Sequence, residues 1–216
     1  MLGNDIVDYG IDEKKCLNQR FINRVLSQTE IECLSQSNNQ NAFLWSLWAA
    51  KEASFKACQK TALQTIFSPS QFELEQKSLK TLLDNDFRHD FKQPIQAALT
   101  FQDQVIHLLF SWPNQTTVHC VAFIGSIAIA KLIKVKISNQ WDERVDGNQS
   151  SQVRAVANTL LQQNHLSAQI ERPILAMPGY HKPGPPVLIN SVNEKLPHEI
   201  SLSHDGTWLA VALLCR

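Results

Sequence analysis

Between residues 95 and 124, three apolar runs (95–101, 105–112 and 117–124) are separated only by Asp103-Gln104 and Pro113-Asn114. Turn dipeptides between strand-like runs predict an antiparallel meander. Ahead of it, residues 16–26 (CLNQRFINRVL) place Leu17, Phe21, Ile22 and Val25 on one helical face. A longer apolar helix is predicted over 42–60. Between the two, Thr29 and Glu32 read as the N-cap and third position of a capping box. Residues 2–9 and 71–74 read as short strands. The polar stretch 76–93 offers one helical turn at 79–83. Helices and antiparallel strands arranged in blocks predict an α+β fold.

The second half repeats the plan. A strand is expected over 127–137, a polar loop over 141–151, a helix over 152–163 and a strand over 168–175. A Pro/Gly-rich loop follows at 178–186, then a strand pair around Asp205-Gly206. Both halves end in an apolar strand, TTVHCVAFIG and GTWLAVALL, which suggests a duplication. The expectation is two similar α/β subdomains, 1–125 and 126–216, forming a pseudo-dimeric monomer.

Composition narrows the function. Twenty Lys plus Arg balance twenty Asp plus Glu over 216 residues, so no global field attracts nucleic acid or an anionic membrane. Any anionic ligand must be held by a local cluster. Five dispersed cysteines with no C-x-x-C pair suggest neither a disulfide framework nor a zinc site. Asp5, Asp8, Asp12 and Glu13 stand where a signal peptide needs basic and then apolar residues. The run 121–132 is too short to span a bilayer. The chain reads as soluble and cytoplasmic.

In the helix 42–60, Phe43, Leu44, Leu47, Trp48, Phe55 and Cys58 fill an arc of roughly 140°. Lys51 falls inside that arc; Glu52 and Lys56 lie together at its edge. Periodicity alone favours an ordinary amphipathic helix with a snorkelling lysine and an exposed Glu–Lys pair. A buried lysine, however, needs an anion or a carbonyl beside it. An edge carboxylate can ligate a hard cation, and a lysine one turn on can meet a phosphate.

The segment Trp48-Ala49-Ala50-Lys51-Glu52-Ala53-Ser54-Phe55-Lys56 resembles the W-x-x-K-E-A-x-x-K motif of the 4′-phosphopantetheinyl transferase superfamily, filling every defined position. The resemblance implies that Glu52 ligates Mg²⁺ and that Lys51 and Lys56 face coenzyme A or the reacting hydroxyl. Gly3-Asn4-Asp5-Ile6-Val7-Asp8 is similar to the family's G-x-D-I-x-E motif, which makes Asp5 the second metal ligand. The surfactin-synthetase-activating type carries another acid where this chain has Val7. The holo-acyl-carrier-protein synthase type carries it at the place of Asp8, whose role is metal-binding, supporting or structural.

Arg20 to Glu30 resembles the family's R-F-x-x-R-V-x-T-x-x-E stretch. Arg20 and Arg24 either form a solvated face or steer the acidic helix of a carrier protein. The hairpin Ser201-Leu202-Ser203-His204-Asp205-Gly206 is similar to the family's S-x-S-H segment, which implies that Ser203 and His204 contact the adenosine 3′,5′-bisphosphate end of coenzyme A. Lys182-Pro183-Gly184-Pro185-Pro186 resembles a variant G-K-P-x-L loop, with Lys182 a phosphate contact or a solvated lysine on a stiff turn.

The motif order is that of the holo-acyl-carrier-protein synthase type, at twice its length. It implies one active site at the seam between the halves. There, a partner serine would take the 4′-phosphopantetheine arm of coenzyme A, with Glu52 or a water on the metal accepting its proton and Lys56 holding phosphate oxygens. The rivals are a coenzyme A binder without transfer, a carrier-binding subunit of a synthase complex, and a metal-dependent phosphohydrolase.

Overall fold

A computed structural model describes residues 1–11, 14–85, 94–141, 147–177 and 179–216. The expectations at Asp12, Glu13, Pro178, 86–93 and 142–146 lie outside the described residues. The chain begins with β1 (Leu2–Asp8), followed by α1 (Gln19–Val25), α2 (Gln28–Gln36) and α3 (Gln40–Gln59). Next come β2 (Glu73–Leu74), α4 (Gln76–Asp84), β3 (Ile95–Phe101), β4 (Gln104–Asn114) and β5 (Thr117–Phe123). The expected meander is present, and β1 joins it: the sheet order is β1-β5-β4-β3-β2, antiparallel throughout.

The second half opens with a 3-10 helix over Ile127–Leu132 and β6 (Ile133–Ser138). It continues through α5 (Gln149–Gln163), β7 (Gln169–Glu171), β8 (Ile174–Met177) and β9 (Tyr180–Pro183), then β10 (Val187–Ile189), β11 (Glu199–Asp205) and β12 (Trp208–Leu214). Its main sheet runs β11-β12-β6, with smaller pairs β10-β7 and β8-β9. In both halves the first strand pairs with the last, and the last with the one before it. The fold is mixed α+β with antiparallel sheets.

Local chemistry explains where the elements begin. Ser27, not Thr29, caps α2: its hydroxyl accepts from the Glu30 amide and the Glu30 carboxylate returns a bond to the Ser27 amide. α4 is longer than the expected turn because Leu79 and Leu82 are buried and the Ser78 hydroxyl accepts from the Ala98 amide of β3. The strand expected over 127–137 starts only at Ile133. Ser126 caps a helical turn first, its hydroxyl accepting from the Ala128 amide, and the alternating Ile-Ala pattern serves either conformation. The loop expected at 178–186 contains β9, paired to β8 through Leu175–Lys182 and Ile174–Pro183.

Two cores result. Phe43, Leu44 and Leu47 of α3 are fully buried against the five-stranded sheet, each contributing about 1.5–3 kcal/mol. Val153, Ala157, Leu160 and Leu161 of α5 pack against Leu209, Val211 and Leu213. A third cluster joins the halves, with Leu2, Val121 and Phe123 from one and Ala212 and Leu214 from the other. Among the described residues no helix is long and apolar enough to cross a membrane.

Candidate active site

α3 crosses β1 at Gly3. A methyl group on Gly3 would overlap the Ala53 carbonyl oxygen and lie 2.7 Å from the Ala57 amide nitrogen, so only glycine allows this approach. The helix answers with small side chains, Ala53 and Ala57, both fully buried. Close approach brings Lys56 over β1. Its ammonium donates to Asp5 Oδ1 at 2.8 Å and to the Asn4 carbonyl at 3.2 Å, and Glu52 Oε1 stands 3.3 Å from it.

β11 forms the opposite wall. The amides of Leu2, Asn4, Ile6 and Asp8 donate to Glu199 Oε2, Ser201 Oγ, Ser203 Oγ and Asp205 Oδ2 at 2.9, 2.9, 3.2 and 2.8 Å. Both series advance by two in the same direction, so β11 lies parallel to β1 and is bonded through side chains. The period-2 alternation of a strand makes this possible, because every second residue of β11 faces β1. Ser203 Oγ also donates to Asp5 Oδ1 at 2.8 Å and accepts from Lys56 at 3.4 Å.

Burial pushes the Asp5 carboxyl up to about 7; Lys56 opposes that shift and Glu52 adds to it. Burial works against charge on Lys56, but Asp5 and Glu52 outweigh it and hold its pKa above the ordinary lysine value. The imidazole of His204 is pushed down, first by burial and then by Lys56. Asp205 is pushed up by burial. Beneath the site, His119 is fully buried on β5 with Nε2 3.2 Å from Asn4 Nδ2, and burial and Lys56 push it down to about 3.

Two clefts flank this centre. One, of about 350 Å³, is lined by Asp5, Asp8, Trp48, Glu52, His204 and Asp205. The other, of about 330 Å³, is lined by Trp48, Glu52, Phe55, Lys56, Lys60 and Arg172 and by residues 183–186. Trp48 and Glu52 border both. The arrangement gives two carboxylates and an ammonium at the junction of two solvent-accessible grooves, a layout suited to phosphate chemistry.

The structure thus brings Asp5, Glu52, Lys56 and Ser203 together and sets Asp8 and His204 on the first cleft. It corrects the expectation for Lys51. That ammonium is fully buried on the far side of α3, donating to Glu30 Oε2 at 2.7 Å, the Phe72 carbonyl at 2.7 Å and the Pro69 carbonyl at 3.1 Å. All three donors are used inside the first core. Lys182 sits on β9 and lines neither cleft. Arg20 and Arg24 are exposed on α1, where Arg24 and Lys15 lie 5.7 and 5.4 Å from the Phe21 ring centroid. Phe21 lines the first cleft.

Sequence reasoning missed Arg172 and Asp205. Arg172 precedes Pro173 in no recognisable pattern, whereas Asp205, as the turn residue after His204, was within reach of the hairpin signal. The sequence model of the 4′-phosphopantetheinyl transferase superfamily matches residues 1–110 of this chain. No curated protein matches it.

Proposed function

The chain belongs to the 4′-phosphopantetheinyl transferase superfamily, and from that premise we propose that it moves the 4′-phosphopantetheine arm of coenzyme A to a serine of an apo carrier protein. The observation that carries the reading is the convergence of Asp5 and Glu52 on one cation, the Lys56 ammonium, at the meeting of two clefts. In the proposed arrangement coenzyme A lies along the cleft beside Arg172 with its phosphates reaching Ser203 and His204, and the partner serine enters at the border of the two clefts, beside Glu52. The halves 1–125 and 126–216 act as a pseudo-dimer with one site at their seam, the matching runs β1-β5-β4 and β6-β12-β11 supporting this.

The donor set fits Mg²⁺. Two hard carboxylates at one point, with open grooves for water and phosphate oxygens, match a cation that keeps several non-protein ligands. Among the described residues no group of three or more His, Cys, Asp or Glu side chains gathers as a metal site, so the ion would rest on Asp5 and Glu52, with Asp8 at the cleft edge beyond them. When bound, Mg²⁺ supplies positive charge to the pyrophosphate.

The protein's own groups account for the rest. Ser203 and the buried strand hold Asp5 in place. Lys56 stabilises charge on the transferred phosphate and on the leaving group. Glu52, at the border of both clefts, takes the serine proton as the serine oxygen bonds the β-phosphorus and adenosine 3′,5′-bisphosphate leaves. Arg20 and Arg24, exposed beside the first cleft, would steer an acidic carrier surface.

The test is Glu52→Ala. It should fold and bind coenzyme A yet lose transfer to an apo carrier; full transfer in that variant would overturn the assignment.

A further inference from the structure

A cavity of about 620 Å³ adjoins the proposed coenzyme cleft, sharing Lys60, Pro185 and Pro186 with it, and extends toward the other end of the β1–β11 seam. Its walls are largely apolar, with Leu63, Leu175, Val187 and Leu196 among them; its cations are Lys60, Lys195, Arg216 and the Met1 ammonium, and Glu199 is its carboxylate side chain. Its volume is within the range of small-molecule sites.

The charge in this cavity is out of balance. Lys60, its side chain only 9% exposed, donates to the Ile200 carbonyl at 2.7 Å, and its nearest carboxylate oxygen, Glu199 Oε2, is 4.0 Å away. Glu199 is committed elsewhere. Its Oε2 accepts from the Leu2 amide at 2.9 Å, and its Oε1 lies 2.9 Å from Arg216 Nη2 and 3.8 Å from the Met1 ammonium. One carboxylate therefore serves several cations, and a nearly buried ammonium is left with one carbonyl and a distant acid. Burial pushes Lys60 down to about 8, the direction expected for an under-compensated charge. A buried cation facing an apolar cavity is completed by an anion that carries apolar surface with it.

We propose that this cavity binds an amphipathic anion, with Lys60 and Arg216 taking its carboxylate or phosphate head and Leu63, Leu175 and Leu196 its apolar body. The site is distinct from the catalytic centre at Asp5 and Glu52. Nothing in it depends on transfer chemistry, so it stands whether or not the chain transfers phosphopantetheine.

Calorimetric titration of the intact protein with decanoate, decyl phosphate and decanol tests it. Saturable 1:1 binding is expected for at least one of the two anions, with decanol at least tenfold weaker; whichever anion binds more tightly identifies the head group. Lys60→Met should weaken anion binding at least tenfold. Leu63→Asp, a change on an exposed wall residue that leaves folding intact, should do the same. The proposal is overturned if neither anion saturates, if decanol binds equally well, or if the folded variants bind like the parent. Displacement of the bound anion by adenosine 3′,5′-bisphosphate would also overturn it, because the cavity would then be an extension of the coenzyme cleft.

Discussion

Ser203 donates a 2.8 Å hydrogen bond to Asp5 across 198 residues of sequence, so the candidate metal ligand of one half is positioned by the strand of the other. The same hydroxyl accepts from the Ile6 amide. Ser203→Ala removes both bonds inside a buried seam, together with the longer one from Lys56, and should cost about 1–3 kcal/mol. Urea unfolding measures the loss. Transfer should fall further than stability alone explains, because Asp5 is left held by Lys56 only; unchanged transfer would show that Asp5 needs no support from β11.

Gly3→Ala should be among the most damaging small substitutions. The added methyl meets backbone, which cannot rotate away, and overpacking of this kind costs about 1–3 kcal/mol or more. Gly147→Ala is the control, since nothing lies within 4 Å of its added methyl, and it should change stability by less than about 0.5 kcal/mol. Thermal or urea melts of the two variants separate close approach from a general intolerance of alanine.

Lys51→Met should destabilise by about 3–5 kcal/mol, because it strands the Glu30 carboxylate in the core. Lys51→Met with Glu30→Gln should recover much of that loss. Coenzyme A affinity of the folded double variant should match the parent, as neither side chain lines a cleft. A large affinity loss in the folded double variant would return Lys51 to the ligand-binding groups.

Two buried groups should give the metal-free protein opposing pH responses. Asp5 titrates near 7 when folded against about 3.8 when unfolded. The folded state therefore holds the extra proton, and this contribution to stability is complete below about 3.8 and is lost as pH rises through 7. His119 titrates near 3 when folded against about 6.5 when unfolded. Its contribution is present above 6.5 and is lost as pH falls toward 3, by up to about 1.4 kcal/mol per unit. The two nearly cancel between pH 4 and 6.5. Asp5→Asn should expose a steep acid loss there, and His119→Gln a gain on acidification; parallel curves for both variants in EDTA would contradict the assignment.

The sequence carried the reacting groups more clearly than their supports. Glu52 and Lys56 were legible because a helical period fixes side chains at i and i+4 on one face, whatever the tertiary context. The need of Lys51 for an anion was legible too, but not its partner: Glu30 was hidden by a capping box placed two residues late, and one carboxylate serves the cap, Lys51 and the Leu74 amide together. Ser203 was singled out by the hairpin, yet its bond to Asp5 depends on a strand pairing 198 residues apart that no local pattern encodes. Arg172 reaches the second cleft only because β7 and the 183–186 turn fold back beside α3. The α+β class was predictable from the order of helices and strands; the side-chain seam between β1 and β11 was not.

Intact-mass measurement of several apo carrier proteins, after incubation with this protein, coenzyme A and Mg²⁺, decides whether the phosphopantetheine arm is transferred. At least one carrier should gain a single phosphopantetheine mass at its serine, with release of an equal amount of adenosine 3′,5′-bisphosphate and no gain in EDTA. No gain on any carrier by folded protein that binds coenzyme A would contradict that transfer.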